Sequence, residues 1–273
     1  MKIITSVVEI KDYVNHLKNE KHRVSLIPTM GDLHDGHISL IKNSEKFKSK
    51  KIVSIFVNPL QFNDEKDFKS YPINLEEDFD ILRKNNIDCL FMPNKEILSD
   101  LDYQVVLPSG FSTVLCGKYR KGHFEGVYKI VKKLFDITCP DNVFFSKKDY
   151  QQLMLIKFLI HNTKINLIEC PTIRDKNGLA LSSRNKHLTP EQQNIASGIY
   201  KLMMKHKYKN EEAPEHIIRE LNNQIKTEYC EILTQKQLFE SHGLRLIGNK
   251  NHRVLFYAGS IFGTRLIDNI EIE

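Results

Sequence analysis

Short apolar runs alternate with helical periods through the first two-thirds of the chain, and that alternation restricts the fold more than any other feature. Arg23–Pro28, Lys51–Val57, Asp88–Met92, Asp141–Phe145 and Ile165–Ile168 are brief and rich in strand formers. Between them, Leu75, Phe79 and Leu82 recur at helical spacing after Asn74, a residue suited to capping. Val127, Ile130, Val131, Leu134 and Phe135 make an apolar stripe, and Leu153, Ile156 and Ile160 make another. Short strands joined by helices of this length imply right-handed βαβ crossovers, so the expected fold is α/β, with a mostly parallel sheet flanked by helices. Ligands of such sheets bind beyond the carboxyl ends of the strands, where loops lead into helices.

The texture changes after about residue 186. Pro190–Gln193 opens a helix with Ile195, Ile199 and Leu202 on one face, and the lysines 201, 205, 207 and 209 follow. A second helix is expected through Ile217, Leu221 and Ile225, then strand-like segments at Leu244–Ile247, Val254–Tyr257 and Thr264–Ile267. The expected organisation is a larger unit over 1–175 and a smaller α+β unit over 176–273. A chain of 273 residues, 41% hydrophobic and 27% charged, can bury its core without staples. Its most continuous apolar stretch, Leu153–Ile160, is interrupted by Lys157, which excludes a membrane-spanning helix there. Met1–Thr5 lacks the apolar stretch of a secretory signal. The five cysteines are scattered, with no C-x-x-C pair, which argues against a disulfide framework or zinc ribbon and for a reducing cytoplasm. A net charge of +6 suits an anionic small ligand as readily as nucleic acid. The lysine patch lacks the aromatic platform of a nucleic-acid site, so neither nucleic acid nor membrane is expected as a partner.

The chemistry concentrates in Met30-Gly31-Asp32-Leu33-His34-Asp35-Gly36-His37, directly after the first of those strands. The glycines allow a tight turn and close approach to a ligand. A helix beginning near Gly36 offers free N–H groups and a positive dipole end to an anion. His34 and His37 are spaced to reach one side of that helix start, where two imidazoles can stabilise charge in phosphoryl transfer. No Cys or third His stands nearby to complete a zinc site. Asn58 and Gln61, after the second strand, are neutral amides suited to hydroxyl and carboxylate oxygens, beside an apolar Phe62. Arg120 and His123 lie in a basic, glycine-punctuated loop. Lys148 supplies a point charge for phosphate, and Asp149 a helix cap or a ribose acceptor. Ser182, Ser183 and Arg184 offer hydroxyls and a permanent charge, although by themselves they read more readily as a turn that caps the next helix.

Pro28-Thr29-Met30-Gly31 followed by His34-Asp35-Gly36-His37 resembles the H-x-G-H signature of the nucleotidyltransferase superfamily, and more narrowly the pantothenate synthetase (pantoate–β-alanine ligase) family. The resemblance covers most of residues 1–190. It implies a Rossmann-like nucleotide-binding unit, with the 176–273 segment as a cover over the nucleotide. It implies ATP contacts from residues 30–37, from Ser146, Lys147, Lys148 and Asp149, and from Ile173, Leu181, Ser182, Ser183 and Arg184. Gln61, Gln152 and Asn58 are then the pantoate and β-alanine contacts, Arg120 and His123 line the site, and His34, His37 and Lys148 are catalytic. The family usually has Gly-Glu where this chain has Ser146-Lys147, and commonly Met where it has Leu181. Pantoate would attack the α-phosphorus of ATP to give pantoyl adenylate and pyrophosphate; the β-alanine amine would then release pantothenate and AMP. Mg²⁺ would ride on the phosphates with few protein ligands, none of which is assigned, and the protein would be a homodimer. A nucleotidyltransferase acting on a phosphate acceptor would want cations where Asn58 and Gln61 stand, and a class I aminoacyl-tRNA synthetase fragment would need an anticodon-binding extension.

Overall fold

The fold is taken from a computed structural model, which describes residues 1–99, 101–238 and 251–272. In chain order the elements of the first part are β1 (Lys2–Ile4), α1 (Val7–Asn19), β2 (Val24–Thr29), α2 (Asp35–Ser44), β3 (Lys50–Ile55), α3 (Glu65–Lys69), α4 (Leu75–Lys84), β4 (Cys89–Phe91), α5 (Leu115–Tyr119), α6 (His123–Thr138), β5 (Asn142–Ser146), α7 (Tyr150–Ile160) and β6 (Asn166–Cys170). The six strands form one sheet in the order β1-β4-β3-β2-β5-β6. Every pairing in it is parallel. The chain runs from β2 outward to β3 and β4, then returns to β5 on the other side of β2. The carboxyl ends of β2 and β5 therefore flank the point where the winding reverses, the usual ligand crevice of such sheets.

Both faces of the sheet are covered. Ile10, Val14 and Leu17 of α1 pack with the stripes of α6 and α7 against Val24, Leu26 and Val143. On the other face Leu40 and Ile41 of α2 and Leu82 of α4 meet Ile27, Val53, Leu90 and Phe144. Strands buried on both sides read as continuous apolar runs, which is why they were visible in the sequence. Lys157, the interruption in the α7 run, reaches Glu169 on β6 at 2.7 Å. The α4 stripe is narrower than its periodicity suggests: Leu75 lies on the exposed side, and Asp78 is buried in its place.

The second part begins with α8 (Pro190–His206) and α9 (Ala213–Glu220), followed by an antiparallel sheet of β7 (Ile225–Thr234), β8 (Arg253–Ile261) and β9 (Thr264–Ile272). The second helix ends at Glu220, short of the expected Ile225. Leu221 is already extended, Gln224 N–H donates to the Asn222 side chain, and Ile225 opens β7. The four-residue spacing of Ile217, Leu221 and Ile225 imitates a helix across that asparagine turn. The strand expected at Leu244–Ile247 lies outside the described residues. One face of this sheet, through Tyr229, Val254, Phe256 and Ala258, joins the core of the first part, while Leu255, Tyr257 and Ile270 pack beneath α8 and α9. None of the described helices is long and apolar enough to cross a membrane.

Candidate active site

The turn after β2 is held from three directions. Gly31 and Asp32 take left-handed backbone angles, φ 82° and 51°. The buried Asp78 carboxylate accepts from the N–H groups of Asp32 and Leu33, at 3.0 and 2.6 Å. Ser183 donates its hydroxyl to the Asp32 carbonyl at 3.2 Å, and the Lys186 ammonium meets the Asp32 carboxylate. Burial holds the Asp78 carboxyl above its ordinary value, against the two N–H donors that favour its charge. Leu33 goes into the core.

His34 is the N-cap of α2. Its Nδ1 accepts from Gly36 N–H at 3.1 Å, and Nδ1 of His37 accepts from His34 N–H at 3.3 Å. A side chain at position 36 is incompatible with this cap, because a Cβ there would stand 2.7 Å from Cε1 of His34. With each Nδ1 accepting, a neutral ring carries its proton on Nε2. The rings lie 4.2 Å apart, centroid to centroid. Burial, then the Lys148 charge, lowers His34 to about 4, and burial with His34 and Lys148 lowers His37 to about 3. At neutral pH the pair thus offers two N–H donors rather than two positive charges.

Both rings line one open cleft. Of the residues singled out in the sequence, it gathers Met30, His34, Gly36, His37, Asn58, Gln61, Arg120, His123, Ser146, Lys148, Asp149, Gln152, Ile173, Leu181, Ser182, Ser183 and Arg184 around one space. Gly31, Asp32, Leu33, Asp35 and Lys147 do not line it. Gly31, Asp32 and Leu33 belong to the supporting turn, and Asp35 starts α2. Lys147 turns away to pair with Glu271 of β9 at 2.6 Å, so the charge that departs from the family pattern has its own partner. Ser146 caps the turn that follows it, accepting from Lys148 N–H at 3.1 Å.

The amide corner is built as tightly. Asn58, 1% exposed, caps the Pro59–Gln61 turn, accepting from Leu60 N–H, and donates to the Gly126 carbonyl and to Oε1 of Gln61. It is therefore fully engaged within the protein, whereas among the described residues Gln61 donates its Nε2 only to the Met30 sulfur, a weak acceptor, at 3.0 Å. Nδ1 of His123 is 2.7 Å from the Gln61 carbonyl, which Arg120 also reaches at 3.1 Å, and Arg120 contacts Nε2 of His123 at 3.0 Å. That places the His123 proton on Nδ1. Burial, then Arg120, lowers His123 to about 3, and burial lowers Arg120 to about 10.

The polar wall carries Lys148 with its Nζ 3.2 Å from Asp149, and Arg184 bound through two nitrogens to Asp67 at 3.0 and 2.8 Å. Burial opposes charge on Arg184 and Asp67, but their hydrogen bonds and the attraction of opposite charges together outweigh it and hold both ionised. Asp149 likewise stays below its ordinary value: burial opposes its charge, and Lys148 overcomes it. The cleft also has an apolar lining, from Leu40, Phe56, Val127, Ile130, Val131 and Leu134. Helical spacing marked the α6 residues as core, and they serve as cleft lining as well. Asp67 and Asp78 were not legible as site residues, since each acts across a long sequence separation.

These features correspond to known proteins over the whole chain. A pantothenate synthetase from Sulfurihydrogenibium sp. (strain YO3AOP1) is 38% identical, covering 99% of this chain and 100% of the relative. The crystal structure of pantothenate synthetase from Thermus thermophilus superposes with a TM-score of 0.86 at 29% identity, covering 99% of both chains. That of a pantoate-beta-alanine ligase from Francisella tularensis, complexed with beta-gamma ATP and beta-alanine, superposes at 0.83 with 36% identity, covering 99% of this chain and 97% of that one. The family model described as pantoate-beta-alanine ligase matches residues 2–271, and the chain belongs to that family.

Proposed function

We propose that the cleft condenses pantoate with β-alanine at the expense of ATP. The carrying observation is that two imidazoles at the start of α2 line the same space as Lys148, Ser182 and Arg184, together with the apolar Phe56, Val127 and Ile130. The polar side suits a triphosphate, and the apolar side suits the methyl-bearing body of pantoate. In the first half-reaction a pantoate carboxylate oxygen bonds to the α-phosphorus and pyrophosphate leaves. The Nε2–H groups of His34 and His37 and the Lys148 ammonium stabilise charge on the phosphoryl oxygens. Ser182 and Arg184 hold the outgoing phosphates, for which Arg184 exchanges Asp67. The Ser183 hydroxyl is engaged with Asp32, so its part is to fix the turn. Gln61 and Gln152 orient pantoate. In the second half-reaction the β-alanine nitrogen bonds to the adenylate carbonyl carbon, the acyl–phosphate bond breaks, AMP leaves, and the amine proton passes to solvent.

Mg²⁺ fits the donor set, because Asp149 on the cleft wall and Asp67 beside it are hard oxygen ligands next to the phosphate-binding cations. When bound it would neutralise phosphate charge. The free cysteines support residence in the reducing cytoplasm. The exposed apolar Tyr119, beside Arg120, is the candidate contact of a homodimer. The segment 176–273 is read as the cover of the nucleotide.

The test is to combine protein, ATP, Mg²⁺, pantoate and β-alanine and to measure AMP. AMP should require both acids, whereas ATP–pyrophosphate exchange should require pantoate alone. Exchange that is indifferent to pantoate would overturn the reading.

A further inference from the structure

Far from the cleft, on the outer helices of the second part, His206, His216 and Glu220 bring one potential ligand atom each to within 4.8 Å of one another. His216 and Glu220 are one turn apart on α9, so they share a face of that helix. His206 is the last residue of α8 and packs against them: its Nε2 lies 2.9 Å from Glu220 Oε1, and its ring stacks on His216 at 5.2 Å with an angle of 13°. His206 is only 3% exposed, yet its Nδ1 has no partner. The ring is thus anchored only through the carboxylate that an ion would share. His216 and Glu220 remain solvent-accessible, with side chains 31% and 37% exposed, which leaves an entry path.

We propose that His206, His216 and Glu220 form a binding site for a borderline divalent cation of the zinc class, which ties α8 to α9. Two imidazoles and one carboxylate are a zinc-type donor set, with a fourth position for water. Tetrahedral coordination at about 2.0–2.2 Å sets ligand atoms about 3.4 Å apart. The present separations, 2.9 Å between His206 and Glu220 and at most 4.8 Å for any pair, lie to either side of that value. Oε2 of Glu220 stays with Lys205, 2.6 Å away, while Oε1 turns to the ion. The proton on Nε2 of His206 is displaced to the ring's free Nδ1 as the cation takes its place.

Co²⁺ alone, added to the full chain, is the probe, because its visible d–d bands report tetrahedral nitrogen and oxygen ligation. Wild type should take one Co²⁺ per chain with those bands and gain thermal stability. His216→Ala and Glu220→Gln, both at accessible positions, should lose bands and stability gain while keeping pantoate-dependent ATP–pyrophosphate exchange. His34→Ala should keep Co²⁺ binding, separating this site from the cleft. Absence of Co²⁺ binding by wild type, its persistence in His216→Ala, or its loss in His34→Ala would each overturn the assignment.

Discussion

His34 and His37 are kept neutral by the arrangement that aims them. Each spends Nδ1 on a backbone N–H, and burial beside Lys148 disfavours a second proton. The donors are therefore in place from neutral pH down to about 4, well below the ordinary imidazole range. We expect pantoate-dependent ATP–pyrophosphate exchange to show no acidic limb near pH 6.5; a limb there would mean that a required neutral ring titrates at the ordinary imidazole value and is not held down by its surroundings. Folding carries a matching signature. Below about pH 6.5 the unfolded chain takes protons on His34, His37 and His123 that the native state refuses, so stability falls with decreasing pH, by at most about 1.4 kcal/mol per pH unit per ring. Above that pH these rings contribute no slope. Urea denaturation at pH 5 and pH 7 measures the difference. Replacing His37 by Ala removes one charge-stabilising donor, and kcat should fall by about two to three orders of magnitude. A variant that stays folded and turns over at the wild-type rate would take His37 out of the chemistry.

At the level of elements, the strand alternation and the histidine turn were legible because both are local: the strands are continuous apolar runs, and the H-x-G-H spacing is itself the cap geometry. What the sequence concealed is carried by side chains acting at a distance. β1 and α1 are too short or too weakly apolar to stand out, and β7 hid behind a helix-like spacing. Asp78 sits in a stretch whose apolar period points to Leu75, yet it is Asp78 that turns inward, to hold a backbone turn more than forty residues earlier. A carboxylate with two acceptor oxygens meets two N–H donors there. Asp78→Asn keeps one acceptor and sets an NH₂ against the other donor, leaving a buried N–H unpaired at a cost of about 1–3 kcal/mol. The turn it supports positions His34, so kcat for adenylation should drop about tenfold or more, and Tm should fall. Chemical denaturation with exchange kinetics checks both. Loss of stability with unchanged kcat would reduce Asp78 to a structural role.

At the scale of the whole molecule, the second part is fastened to the first at the point where Lys148 is held. Arg174 binds Asp268 of β9 through two nitrogens, at 2.6 and 2.7 Å, and stacks on Tyr200 of α8. The adjacent Asn269 donates its amide to the carbonyls of Lys147 and Lys148, at 3.0 and 2.8 Å. Nothing in the sequence of β9 marks Asn269, since a lone asparagine in a strand carries no signal until its partner is seen. Through it, the position of the C-terminal sheet fixes the backbone from which Lys148 projects. Asn269→Ala deletes both bonds but leaves the Arg174–Asp268 pair and the shared core, so the fold should survive with a loss of about 1–3 kcal/mol. The effect on activity should be selective. With Lys148 in its proposed role on the phosphates, KM for ATP should rise and kcat should fall, each several-fold, while KM for β-alanine should hold. A fall in stability with every kinetic constant unchanged would show that the sheet covers the cleft without positioning it. The selective result would make the seating of β9 part of how the nucleotide is recognised.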